Sequence, residues 1–231
     1  MASLLKYLQI ATDVYADKSD TPPSVNDFVT QKFEYATWYG NGFQGGVFVN
    51  KTEIIVGFSG TKGSPTSAPI SQTSGNARIA LHVIPNMAGG AFDMVNWAKS
   101  IAKGRPISIV GHSLGGGLAQ VVGNWSGCPF ISFNGPGMAN HLKLSSFNIF
   151  KPRQMYRSIR SASTGDTRGI CFFVTGDLTG TYGEPVGWGV ELEPEGATSL
   201  LKNHGLEAVR SGIQKKGWLR NEPREIYSIF C

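Results

Sequence analysis

Three cysteines are too few and too scattered to staple this chain. Cys128, Cys171 and Cys231 are odd in number and not closely spaced, which excludes a disulfide framework or a zinc site built on them. Cys128 and Cys171 lie beside apolar runs and read as core residues, and the chain reads as made in a reducing compartment. No apolar run reaches the ~18 residues that a membrane-spanning helix needs. The first seventeen residues hold Lys6 and Gln9 inside their apolar stretch and show no small-residue cleavage site, so no secretory leader is expected. Leu4, Leu5, Leu8, Ala11, Thr12 and Tyr15 instead recur at helical spacing and predict an amphipathic helix packed on the domain. Internal repeats and domain linkers are absent too. What remains fits one globular α/β domain over residues 1–231, with 41% hydrophobic and 16% charged residues and enough length to bury a large core. The net charge of +5 permits attraction to an anionic surface without identifying one.

Glycine, by contrast, is abundant, with 30 in the chain, and one cluster of it organises the rest. The β-branched run 107–110 reads as a buried strand, and Leu118, Ala119, Val121, Val122 and Trp125 read as a helix. Between them stands Gly111-His112-Ser113-Leu114-Gly115, a G-x-S-x-G in the strand–turn–helix context of a nucleophile elbow. The bare pattern arises by chance in a glycine-rich chain. Its flanking strand and helix, with the extra Gly116 and Gly117, make it specific. The serine must sit on a strained turn, and side chains two residues before and after it would strike neighbouring backbone.

The stretch 111–119 resembles the elbow of the class 3 lipases, the fungal-lipase-like branch of the α/β-hydrolases, and looser matches cover most of 44–210. That resemblance implies a mostly parallel central sheet flanked by helices. Residues 44–49 and 53–58 read as a hairpin, whose second strand runs into Phe58-Ser59-Gly60-Thr61. The family usually has aromatic-Arg-Gly-Ser/Thr there, at its oxyanion loop, so Ser59 departs from the pattern. By resemblance, Thr61 (backbone N–H and hydroxyl) and the Leu114 N–H form the oxyanion hole. The segment 62–91 is expected to contain a lid. Within it Ile79, Leu81, Val83 and Ile84 suit either a cover for an acyl pocket or a plain edge strand of period two. Residues 25–39 read as a helix or mixed segment, and 92–103 as a helix stopped by Gly104 and Pro106.

Past the elbow helix, 129–133 reads as a buried strand leading into Asn134-Gly135-Pro136-Gly137, similar to the family's turn there. The connection 141–169 holds six cations, Lys143, Lys151, Arg153, Arg157, Arg160 and Arg168, against Asp166 alone. It is either a solvated face or a contact for an anionic membrane. The strand 170–174 then leads to Asp177, where the acid of this fold stands. Asp166 precedes that strand, and Glu184, Glu191 and Glu193, in the loop beyond, are weaker rivals. Asp177 also suits a turn aspartate bonding its own backbone. Of the four histidines, His82 and His141 precede the acid and break the order Ser…Asp…His. His112 should point away from the reacting centre. His204, just before a helix carrying Leu206, Val209 and Ile213 on one face, fits.

The expectation is therefore a serine hydrolase of lipase or phospholipase type. Its catalytic residues are Ser113, Asp177 and His204, its substrate is a lipid or other ester, and no metal, organic cofactor or nucleic acid is implied. A soluble short-chain esterase or thioesterase, and an inactive lipid- or protein-binding relative, are the alternatives. The chain is expected in the cytoplasm as synthesised. Export without a cleaved leader, as a toxin, would bring a cognate inhibitor protein as partner.

Overall fold

β-Branched and aromatic residues dominate the strands, and side chains alternate between two buried faces. The computed structural model describes residues 3–17, 27–35, 42–60, 73–145, 168–195 and 200–219. Their elements are α1 (Leu4–Asp13), β1 (Val29–Glu34), β2 (Gly45–Val49), β3 (Ile54–Phe58), α2 (Thr73–Ser100), β4 (Ile107–His112), α3 (Leu114–Ser126), β5 (Phe130–Phe133), α4 (Ala139–Ser145), β6 (Gly169–Val174), β7 (Trp188–Leu192), α5 (Leu200–His204) and α6 (Leu206–Lys215). The strands form one sheet in chain order, β1 to β7. β1, β2 and β3 pair antiparallel, and β3 through β7 pair parallel. This is the helix-flanked, mostly parallel sheet expected of an α/β-hydrolase.

Both faces are covered, as a parallel sheet requires. Val47, Val49, Ile54, Val56, Phe58 and Ile109 pack on one side beneath α2 and α3. Phe48, Ile55, Val110, Ile131, Phe133, Phe172 and Leu192 pack on the other beneath α1 and α6. Tyr7 and Ser108, both buried, satisfy each other through a 2.8 Å hydroxyl–hydroxyl bond between α1 and β4. Parallel strands leave their carboxyl ends at a common edge, where ligands bind in such sheets. Gly60, Ser113, Asn134 and Asp177 all follow strands at that edge.

Four expectations need correction. Within 25–39, expected as a helix or mixed segment, residues 29–34 form an edge strand: its side chains are half-buried or exposed, which obscures a period-two apolar pattern. The edge-strand alternative for Ile79, Leu81, Val83 and Ile84 fails, because they lie in α2, which runs unbroken from Thr73 to Ser100 and absorbs the helix expected at 92–103. Buried Ile84, Met87, Ala88, Ala91, Met94, Val95 and Ala98 keep helical spacing from Ile84 onward. Pro85, Gly89 and Gly90, poor helix formers, mask that spacing in the sequence. Residues 188–192 form β7 rather than a loop. In α1 the buried face is Leu4, Tyr7, Leu8, Ile10 and Ala11, while Leu5 is exposed and Tyr15 lies beyond the helix end. The expected core cysteines Cys128 and Cys171 are buried. Residues 62–72 of the expected lid lie outside the described residues, as does most of the basic connection, 146–167.

Phe172 is fully buried and stacks on Phe133 at 5.7 Å between ring centres. Phe172→Ala is expected to lower the unfolding free energy by about 3–5 kcal/mol, as read from the midpoint and slope of urea denaturation.

Candidate active site

The elbow is set by contacts that leave no space for a Cβ. A Cβ on Gly111 would lie 2.0 Å from the Gly115 carbonyl oxygen, and one on Gly115 would lie 2.2 Å from that of Phe58. With those positions bare, β4 turns directly into α3 through Ser113 at φ 57°, ψ −127°. This is a strained conformation for a residue with a side chain. The Ser113 N–H donates to Phe133 O at 3.0 Å, and the Ser113 carbonyl accepts from Gly116 N at 2.9 Å. Leu114 supplies the first amide of α3, one that a helix cannot satisfy internally and that lies at its positive end.

The turn after β6 carries Asp177, which is 2% exposed. One carboxylate oxygen accepts from Thr179 N–H at 3.2 Å and the other from Gly180 N–H at 2.9 Å. Both readings of Asp177 thus hold at once. It is a turn aspartate bonding its own backbone, and its Oδ1 also faces His204 Nδ1 at 3.0 Å. The loop itself is held down: Gly137 N–H donates to Tyr182 O and Ala139 N–H to Glu184 O. Buried Gln120 ties the same region to α3, accepting from Met138 N–H and Val186 N–H and donating to Pro136 O.

His204, the last residue of α5, presents Nε2 to Ser113 Oγ at 2.8 Å. With Nδ1–H donated to Asp177, Nε2 is left to accept the serine hydroxyl proton. The arrangement can therefore activate a hydroxyl nucleophile through an oriented base. Asn203 Nδ2 donates to Thr175 O, joining α5 to the turn that carries Asp177. The structure thus brings Ser113, His204 and Asp177 together and leaves the rivals elsewhere. The Glu191 carboxylate bonds Thr175 Oγ1, and Glu193 pairs with Lys215. His82 lies in α2 and His141 in α4. Asp166 and Thr61 lie outside the described residues.

Sequence reasoning missed the groups that hold the His204 main chain from behind. His112 does not face Ser113, but neither is it idle: its Nε2–H donates to the His204 carbonyl at 2.8 Å. Buried Asn134 donates to the same carbonyl at 3.0 Å and to Asn203 O at 2.9 Å, while its Oδ1 accepts from Val174 N–H. Tyr15 bonds His112 Nδ1 at 2.8 Å. A polar residue directly after a buried strand and before Gly-Pro-Gly was the available signal for Asn134. Tyr15 offered none.

A family model described as phospholipase-like, a Tle-like phospholipase domain, matches residues 6–147, more than half of the chain. No curated protein sequence matches. Among solved structures, the chain is similar to a triacylglycerol lipase whose catalytic centre is formed by a serine protease triad. Identity is 11%, 91% of this chain and 95% of that one are covered, and the TM-score is 0.55. It is similar also to Lip2 lipase from Yarrowia lipolytica, at 14% identity over 86% and 80% of the two chains with a TM-score of 0.55. The triacylglyceride lipase of Rhizomucor miehei gives 14%, 82%, 78% and 0.51 in the same terms. At these identities the likeness shows the α/β-hydrolase fold.

Burial, with the His204 ring beside it, pushes His112 from 6.5 down to about 4. Between those values the unfolded chain binds a proton that the folded chain excludes, so stability falls as pH drops through that window. The full separation corresponds to about 3 kcal/mol. Urea denaturation at pH 7 and pH 4.5 is expected to show a smaller acid loss for His112→Gln than for wild type.

Proposed function

The chain belongs to the Tle-like phospholipase domain family, and we propose from that premise that it cleaves a fatty-acyl carboxylic ester of a phospholipid, with Ser113 as nucleophile. It is a carboxylic ester hydrolase of the lipase and phospholipase type. The observation that carries the residue assignment is the continuous line from Ser113 Oγ through the His204 ring to Asp177 Oδ1.

In this reading, Ser113 Oγ attacks the ester carbonyl carbon while His204 Nε2 takes its proton. Asp177 holds the imidazole with Nδ1 protonated and stabilises the imidazolium. The carbonyl oxygen becomes an oxyanion, for which the Leu114 N–H at the start of α3 is a preorganised donor. Thr61 is assigned the opposite side by resemblance, one residue past Gly60 at the end of β3. Collapse expels the alcohol, here the lysophospholipid, which receives the proton from His204. Water then repeats the sequence on the acyl-enzyme, releasing fatty acid and restoring Ser113. A serine hydroxyl facing a histidine that an aspartate orients is the arrangement of acyl transfer, which favours the carboxylic ester over the phosphodiester as the bond broken.

Ser113→Ala is expected to abolish fatty-acid release from phosphatidylcholine vesicles and labelling by a fluorophosphonate, with Tm nearly unchanged. Asp177→Asn is expected to lower kcat by about 10⁴-fold through loss of the correct tautomer. A wild-type chain that cleaves short soluble esters but releases no fatty acid from vesicles would refute the phospholipid assignment.

The basic connection 141–169 adds a proposed contact with anionic membrane. Its support is its charge, six cations to one anion, each cation near an anionic leaflet contributing about 1 kcal/mol. Hydrolysis of anionic vesicles is expected to outpace that of zwitterionic ones. The gap should close as salt rises past about 0.15 M, where the Debye length is ~8 Å. Replacing Arg153, Arg157 and Arg160 with Gln should remove the gap and spare a soluble short ester.

A further inference from the structure

Tyr15 stands just past the end of α1, 97 residues from His112 in sequence, yet its hydroxyl lies at the centre of the elbow's rear face. Its backbone is clasped on both sides. Gln44, 2% exposed, donates through Nε2 to Val14 O at 2.7 Å and to Ala16 O at 3.0 Å. The Gln44 carbonyl in turn accepts from Ser59 N–H at 3.0 Å. The phenol is thus fixed relative to the end of β3 before its own side-chain bonds are counted.

Those bonds have a determined direction. The Gly60 N–H donates to Tyr15 Oη at 2.8 Å. Carbonyl oxygens only accept, so the 2.8 Å contact between His112 Nε2 and His204 O fixes the hydrogen on Nε2. Nδ1 of a neutral imidazole is then an acceptor, and the Tyr15 hydroxyl donates to it at 2.8 Å. Burial raises the Tyr15 phenol well above its ordinary range and lowers His112 to about 4, so both groups stay neutral in these roles at neutral pH. The line runs Gly60 N–H to Tyr15, Tyr15 to His112, His112 to the backbone of His204. One end is the Ser59–Gly60 peptide, at the end of β3, and the other is the main chain of His204. Gly60 permits the approach: a Cβ there would lie 2.5 Å from Tyr15 Oη and 2.8 Å from Ser113 Cβ.

We infer that Tyr15 and His112 are positioning residues that lock the end of the oxyanion strand and the catalytic base into one register around Ser113. This rests on the hydrolase reading above. Neither side chain touches the reacting atoms. Their effect falls on where Gly60 and His204 stand, and displacements of about 1 Å can cost 10²-fold in rate. Asn134 also holds the His204 carbonyl, so loss of the line loosens the base without releasing it.

The test uses isosteric substitutions, with kcat and KM on a soluble short-chain ester, the fluorophosphonate labelling rate, and Tm. Tyr15→Phe keeps the ring and removes only the hydroxyl. His112→Asn keeps a polar group near Nδ1 and loses the donor at Nε2, whereas His112→Gln places an amide nitrogen where Nε2 was. Tyr15→Phe and His112→Asn are expected to lower kcat and labelling about tenfold, with KM within twofold and Tm within a few degrees of wild type. His112→Gln is expected to recover to within about threefold of wild type. The double variant Tyr15→Phe/His112→Asn is expected to lose less than the product of the two single losses. Should His112→Asn fail to fold, Tyr15→Phe alone decides. Positioning is overturned if Tyr15→Phe labels and turns over within twofold of wild type, or if losses appear only in Tm and KM. A wild-type chain that neither labels nor hydrolyses any ester overturns the hydrolase reading itself, and this inference with it.

Discussion

Backbone touching backbone at the end of β4 is the constraint from which the rest follows. Gly111 lies so close to the Gly115 peptide, and Gly115 to that of Phe58, that a single methyl on either would enter a peptide group. Only that approach lets a strand become a helix within one residue. It also leaves that residue, Ser113, at positive φ. The strain is held by what surrounds it: β3 and β5 flank β4 in parallel register, and α3 lies buried against the sheet along most of its length. A turn of this kind would relax in isolation, because fixing a strained conformation needs neighbours that over-determine it.

The second physical theme is how polar groups survive at a buried edge. Asp177, Asn134, Gln120 and Gln44 are all buried, and each spans two or more segments. Unpaired, such groups would cost stability. Paired, they hold segments that are otherwise separate. Asn134 joins the end of β6 to the backbone of His204, Gln120 joins α3 to the segments on either side of β6, and Gln44 joins the end of α1 to the end of β3. Ser113, His204 and Asp177 stand close to these cross-links.

Two histidines 5.1 Å apart, ring centre to ring centre, show environment dividing labour. His112 is enclosed, held neutral, and donates to a carbonyl. His204 stands between a carboxylate and a hydroxyl, which orients it to accept a proton. The same side chain donates to a carbonyl in one place and in the other is oriented between a carboxylate and a hydroxyl, because what faces each nitrogen differs.

The sequence by itself determined the parts whose signals are local. The elbow was legible because strand, glycines, serine and helix are contiguous. The hairpin, β5 and β6 were legible as apolar runs beside turns, and the candidates Asp177 and His204 by the chain order and strand-end position that the family resemblance implies. α2 was misread because Pro85, Gly89 and Gly90 break its propensity while its burial keeps helical period. β7 was hidden because three of its five residues face solvent, so no apolar run marks it. Only the tertiary structure decided the second role of His112 and brought in Tyr15 and Gln44. Their bonds join the end of α1, the approach to β2 and the elbow, and no local period, motif or composition encodes the meeting of segments so far apart. Those meetings are fixed when the two faces of the sheet bury their apolar surface, and the polar side chains then find partners in the places that packing leaves.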